Sequence, residues 1–220
     1  MKLVYPEMFP PFQLECDRVN LIAIESGSLY YKMVSEFAEQ CGGHDGGFVL
    51  SEGNELMSIS RYADIMTSFI PFEVNTKRLL TKLYAKLELL CEGELYEKTL
   101  RVRYDVAEYL TNASGLVDSD IEFESQIDLK ALFRCFELKF SSNGSLADNV
   151  ISYMLNSSEL DGKKLFVTAG LLNFLSSGEA ELFMRTATDH KLTLLMFENR
   201  EPSCGGLINR MTIDEDYCIF

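Results

Sequence analysis

Val19-Asn20-Leu21-Ile22-Ala23-Ile24 decides the fold class. Apart from Asn20 it is an unbroken apolar run, the pattern of a short strand covered on both faces. Ser26-Gly27-Ser28 follows, and a helical pattern then runs to about Gln40, with Met33, Phe37 and Cys41 at four-residue spacing. The loop Gly42-Gly43-His44-Asp45-Gly46-Gly47 ends that helix. Lys164-Leu165-Phe166-Val167-Thr168-Ala169-Gly170 and Leu192-Thr193-Leu194-Leu195-Met196-Phe197 repeat the buried-strand pattern. Phe48-Val49-Leu50-Ser51-Glu52 and Asp64-Ile65-Met66-Thr67-Ser68-Phe69 predict further strands, and Asp216-Tyr217-Cys218-Ile219-Phe220 an edge strand. Apolar strands alternating with helices predict an α/β protein: a globular head with a largely parallel sheet covered by helices.

The middle of the chain departs from this alternation. Asn75 or Thr76 can cap a long helix whose apolar stripe is Leu79, Leu80, Leu83, Leu87 and Leu90. Gly93 breaks it, and a second helix is expected from about Glu94 to Leu110. A helix from about Asp128 leads to Glu137-Leu138-Lys139-Phe140, which reads as a strand. Another helix spans roughly Ser145 to Asn156. Ser176 and Glu179 form a capping box, and its helix ends near Asp189 and His190. The expected organisation is a discontinuous head, 1–72 and 141–220, interrupted by a helical leg insertion over 73–140.

With 220 residues the chain fits one large domain carrying an insertion. No apolar run approaches the roughly 20 residues needed to cross a bilayer. Pro6 and Glu7 arrive before any signal-peptide core, so a cytoplasmic protein without a membrane partner is expected. The six cysteines are widely spaced, with no pair at zinc-knuckle or redox spacing, and Cys91 and Cys135 read as buried apolar thiols. The net charge of −14 argues against a generic nucleic-acid binder. Local binding stays open, because charges beyond about 8 Å are largely screened at physiological salt.

Four features could carry chemistry. Ser26-Gly27-Ser28 lies where a phosphate loop would, but it has one Gly, and the nearby Lys32 falls inside the helix. A tight turn with Ser28 as N-cap is the plainer reading, and it argues against an ATPase. His44 and His190 lack the context of a catalytic triad. Asp118, Asp120, Glu122 and Glu124 would line one face of a strand, and adjacent pairs would suit a hard cation such as Ca²⁺. The competing reading is an amphipathic edge with a solvated acidic face. Finally, Lys77, Arg78, Lys82, Lys86, Lys98, Arg101, Arg103, Lys130, Arg134 and Lys139 cluster in the insertion. They suit phosphate contacts without base readout, although interleaved Glu88, Glu92, Glu94 and Glu97 also fit ordinary solvated faces. In a ring, modest patches would repeat around one opening and add their effects.

Phe72-Glu73-Val74-Asn75-Thr76 with Leu80-Thr81-Lys82-Leu83, and Ile213-Asp214-Glu215-Asp216-Tyr217, resemble the Csn2-type spacer-acquisition proteins of type II-A CRISPR systems. Leu195-Met196-Phe197-Glu198-Asn199-Arg200-Glu201 and Asp120-Ile121-Glu122-Phe123-Glu124 add to the resemblance. It implies an α/β head with a helical leg, a ring-shaped homotetramer, and double-stranded DNA held in the central hole, preferentially at free ends. It further implies structural calcium, no catalytic activity, and work beside the CRISPR integrase and the RNA-guided effector nuclease. On this chain the resemblance places Asp120, Glu122 and Glu124, with Asp118 beside them, near calcium. It places Lys139 and Arg134 toward DNA, and Lys130, Lys82 and Lys86 of the basic cluster are further DNA-binding candidates. The rival readings are a metal-dependent nuclease or nucleotide-driven enzyme, and a protein-only adaptor of the adaptation complex.

Overall fold

A computed structural model describes residues 1–53, 55–124, 126–200 and 208–220. In chain order it runs β1 (Lys2–Tyr5), β2 (Met8–Gln13), β3 (Val19–Ile24), α1 (Gly27–Cys41), β4 (Val49–Glu52), β5 (Glu55–Met57), α2 (Ile59–Tyr62) and β6 (Ala63–Met66). There follow α3 (Lys77–Glu92), α4 (Tyr96–Ser114), α5 (Leu129–Cys135), α6 (Leu146–Asp161), β7 (Leu165–Ala169), a 3₁₀ turn (Leu171–Phe174), α7 (Ser177–Asp189), β8 (Thr193–Glu198) and β9 (Ile208–Ile213). The residues form two compact units, Met1–Val74 with Ser142–Phe220, and Asn75–Ser141.

The first unit holds both sheets. Strands β6-β7-β8-β3-β9 form a five-stranded sheet in which every neighbouring pair is parallel. The mixed α/β expectation with a largely parallel sheet therefore holds, and its reason is visible in β3, β7 and β8, whose residues are all buried. Ile22, Ile24, Val167, Leu195 and Phe197 face a core shared with α1 and the smaller sheet. Leu21, Phe166, Leu194 and Met196 are also fully buried, and α7 packs on β3 and β8 with α6 beside it. On α1 the buried stripe is Leu29, Met33 and Phe37. Each such side chain stabilises by about 1.5–3 kcal/mol on burial, enough to hold a 15-residue helix that would be marginal alone.

Strands β2-β1-β4-β5 form the second sheet, antiparallel throughout. Its outer strand β2 carries Pro10 and Pro11 where its register with β1 shifts, and its other outer strand, β5, has three residues. The glycine-rich loop is braced from α1. Gly47 N–H and the Tyr5 hydroxyl donate to the Glu36 carboxylate, and Gln40 exchanges two hydrogen bonds of 3.0 Å with the Phe48 backbone.

Several local expectations need correction. The N-cap of α1 is Ser26, not Ser28, and it accepts from Leu29 N–H. The chain end is not an edge strand: only Ile219 bridges to Ile213, because Asp214 Oδ1 draws in the N–H groups of Asp216 and Cys218 and turns the chain. The edge strand beside β3 is β9, in which Asn209, Arg210 and Thr212 interrupt the apolar run. Cys135 is exposed and Cys91 half-buried, since each lies on a helix of the smaller unit where few side chains are covered. The described cysteines form no disulfide with one another, and Cys204 lies outside the described residues. Among the described residues no helix is long and apolar enough to cross a membrane.

Candidate nucleic-acid interface

The candidate surface lies in the unit Asn75–Ser141, and local sequence explains its build. Thr76 caps α3 by accepting from Leu79 N–H, and Asp128 caps α5 by accepting from Ala131 N–H. Asn75 ties the two ends of the unit: its amide donates to Phe140 O at 3.0 Å and accepts from Phe140 N–H at 2.8 Å. The Tyr84 hydroxyl donates to Leu138 O at 2.9 Å, and its ring lies 6.0 Å from that of Phe133. Thr99 joins α4 to the end of α3 through Cys91 O.

On this frame, Arg78, Lys82 and Lys86 recur every four residues along α3. That spacing puts them on one helix face over roughly 12 Å, at about 1.5 Å per residue. Lys82 is exposed. Arg134, near the C-terminus of α5, is exposed and makes no ion pair among the described residues. Lys130 is committed elsewhere, with Nζ 2.5 Å from Glu88. Lys139 is exposed, 3.7 Å from Glu137. Its segment is not the expected strand, because Glu137 turns at positive φ and Asn75 takes both backbone groups of Phe140. The five predicted DNA contacts are thus spread over α3, α5 and the turn after α5.

The acidic quartet behaves differently from expectation. Residues 118–124 form no strand and all are exposed. No strand lies in this unit among the described residues, so an extended segment there has no neighbour for its backbone groups. Without a paired strand, no sheet holds Asp118, Asp120, Glu122 and Glu124 to a common face. Among the described residues no three His, Cys, Asp or Glu side chains gather to hold a metal ion. The quartet therefore does not fit a calcium site within one chain.

The strand-helix turn at Ser26 offers no phosphate cradle either. Lys32, the nearest cation in sequence, pairs with Glu7 at 2.6 Å. His190 is the C-cap of α7, its N–H turned back onto Thr186 and Thr188 carbonyls. Sequence reading missed Glu198, which ends a fully buried strand. A charged residue closing an apolar run at the carboxyl edge of a parallel sheet is the signal that could have found it.

The comparisons with known proteins bear on this surface. The family model for CRISPR-associated protein (Cas_Csn2) matches residues 40–217, most of the chain. The chain belongs to the Cas_Csn2 family. A crystal structure of Stu0660 of Streptococcus thermophilus matches this Csn2-family chain with a TM-score of 0.57 at 17% identity, over 97% of this chain and 74% of that one. At that identity the likeness concerns the fold. The ADP conformation of MJ1267, an ATP-binding cassette of an ABC transporter, matches at a TM-score of 0.44 and 13% identity, over 87% of this chain and 74% of that one. That likeness is too low to carry an argument. No curated protein matches the chain. The family match sets a CRISPR-associated role for this Csn2-family protein.

Proposed function

We propose that this Csn2-family protein binds double-stranded DNA without cutting it, preferentially at free ends, during spacer acquisition. The observation that carries the reading is the distribution of charge. The unit Asn75–Ser141 holds 10 of the 20 Lys and Arg residues and 12 of the 34 Asp and Glu, a net charge of −2. The rest of the chain, with 10 basic and 22 acidic residues, carries −12. Four of the smaller unit's acids fall in residues 118–124, so its helices and turns alone sum to +2. A polyanion is repelled least there. A homotetrameric ring would repeat the Arg78, Lys82 and Lys86 face and the Arg134 and Lys139 side chains around one duplex, adding contacts too weak singly. Phosphate contacts of that kind position a duplex end for the integrase and the RNA-guided effector nuclease without reading its sequence.

A blunt duplex and a covalently closed circle, compared in gel shift, test the proposal. The blunt duplex should bind more tightly, and log affinity should fall linearly with log salt, by about 0.9 for each phosphate contacted. Exchanging Arg134 and Lys139 together for Glu should weaken duplex binding tenfold or more, on the order of 1.4 kcal/mol. Equal binding to duplex and circle would remove the preference for ends. A second reading, a protein-only adaptor, is favoured by the ion pair of Lys130 with Glu88 and the closeness of Lys139 to Glu137. No measurable duplex binding by the wild type would select it, and unchanged affinity in the double variant would remove Arg134 and Lys139 from the contact surface. DNA cleavage in Mg²⁺ or Mn²⁺, lost in Glu122→Ala, would instead make the protein a nuclease.

A further inference from the structure

At the carboxyl edge of the parallel sheet, β3 sends its connection toward β6 and the chain beyond β8 returns on the other side as β9. Adjacent strands whose connections diverge leave a crevice between them, the usual ligand position in open α/β sheets. Here that position holds Glu198, opposite Ala23 in the register of β8 with β3 and only 2% exposed. Its carboxylate accepts from Leu172 N–H at 3.2 Å and also from Leu171 N–H. It thereby satisfies the first amides of the 3₁₀ turn Leu171–Phe174, whose N-cap Gly170 provides no side-chain cap. Gly170 is left-handed, and a Cβ there would stand 3.3 Å from the Tyr30 hydroxyl, so the turn is confined on that side as well. Among the described residues, Arg200 acts on Glu198, and the Glu198 charge acts on Tyr30 of α1. Burial raises the Glu198 carboxyl to about 7, opposed in part by the two N–H groups and by Arg200. Burial and the Glu198 charge push Tyr30 up to about 12.

The far end of the same turn is tied to the chain that leaves the first unit. The Phe174 ring lies 5.8 Å from that of Phe69, Phe69 stacks on Phe72 at 6.0 Å, and Phe72 meets the edge of Tyr153 at 5.8 Å. Tyr153 in turn donates to Asp64 of β6 at 2.9 Å. Residues 67–74 run from β6 to the boundary of the first unit. Apart from Val74 at the boundary, the large apolar side chains holding them are the two phenylalanines of this row, with Ile70 exposed.

We propose that the proton on Glu198 sets how firmly residues 67–74 are held, acting through the turn Leu171–Phe174 and the Phe174–Phe69–Phe72 row. When Glu198 loses its proton, a buried charge favours any opening that lets water reach it. The turn is what must open. Its movement takes the Phe174 ring off Phe69, and residues 67–74 loosen with it. The closed state binds the proton more tightly than the open one, so the opening equilibrium rises with pH through neutrality.

Hydrogen–deuterium exchange of the full chain, corrected for the intrinsic pH effect, reads both segments at about pH 6 and about pH 8. Residues 171–174 and 67–74 should both exchange about tenfold faster, relative to intrinsic rates, at the higher pH. Glu198→Gln keeps a carbonyl for Leu172 N–H and should hold both segments at the slow level at either pH. Phe174→Ala should leave the response in 171–174 and remove it from 67–74. Equal protection of the wild type at both pH values overturns the proposal, as does a pH response surviving in Glu198→Gln. So does a wild type in which 171–174 responds and 67–74 does not; that arm decides the matter without any variant.

Discussion

Asn20 is the one polar residue in β3, and replacing it with Leu measures what it contributes. It is fully buried. Its Oδ1 accepts from Glu15 N–H at 2.8 Å and from the Asn209 amide at 2.9 Å, while its Nδ2 donates to Glu15 O and Leu194 O, each at 2.9 Å. One side chain thus links β3 to β8, to β9 and to the chain entering β3. In Asn20→Leu the Asn209 amide keeps its bond to Gln13 O at 2.6 Å, but the Glu15 and Leu194 groups lose their partner. Three backbone groups lose a partner, the Glu15 N–H and C=O and the Leu194 C=O, at about 1–3 kcal/mol each, and the larger apolar side chain returns about 1–2 kcal/mol. The net loss should be about 1 kcal/mol or more, read as a lower urea midpoint at unchanged slope. Asn209→Ala removes one of two donors to the same oxygen and should cost about 1 kcal/mol or less. The two changes share a hydrogen bond, so the double variant should lose less than the sum, by about 0.5 kcal/mol or more. An Asn20→Leu variant as stable as the wild type, or strict additivity in the cycle, would refute the claim that the network holds these strands together.

Two further outcomes follow from buried polar groups. Thr168 is fully buried, and its hydroxyl has no hydrogen-bond partner among the described residues, so Thr168→Val should stabilise by about 1 kcal/mol by removing an unsatisfied group at constant shape; a lower melting temperature would contradict this. Glu198 binds its proton more tightly folded than unfolded, since its carboxyl moves from 4.5 to about 7. Its contribution is therefore full below about pH 4.5 and lost as pH rises to about 7, a fall of at most about 3 kcal/mol. The difference in denaturation free energy between wild type and Glu198→Gln should follow that slope, and a flat difference would oppose it.

The fold was legible where one physical demand dominated. A parallel strand buried on both faces must be apolar nearly throughout, so β3, β7 and β8 could be read directly, as could the capping box of Ser176 and Glu179. Elements that answer to two demands were not legible. Strand β9 carries Asn209 because it must reach Asn20, and that breaks its apolar pattern. Residues 118–124 alternate like a strand but have no neighbour to pair with, a fact no local pattern contains. The basic residues of the candidate interface were visible as a cluster. Which of them stay available depends on partners distant in sequence, as Lys130 and Glu88 illustrate. Glu198 went unremarked because its partners, Leu171 and Leu172, are set by a turn 26 residues away from it at Leu172.

The two prolines of β2 have a consequence for assembly. Proline offers no amide hydrogen, so the outer border of the four-stranded sheet cannot present a continuous ladder to an incoming strand, and the opposite border is only three residues long. Strand-to-strand joining of copies through this sheet is thereby disfavoured. Any union at these margins must be made by side chains instead.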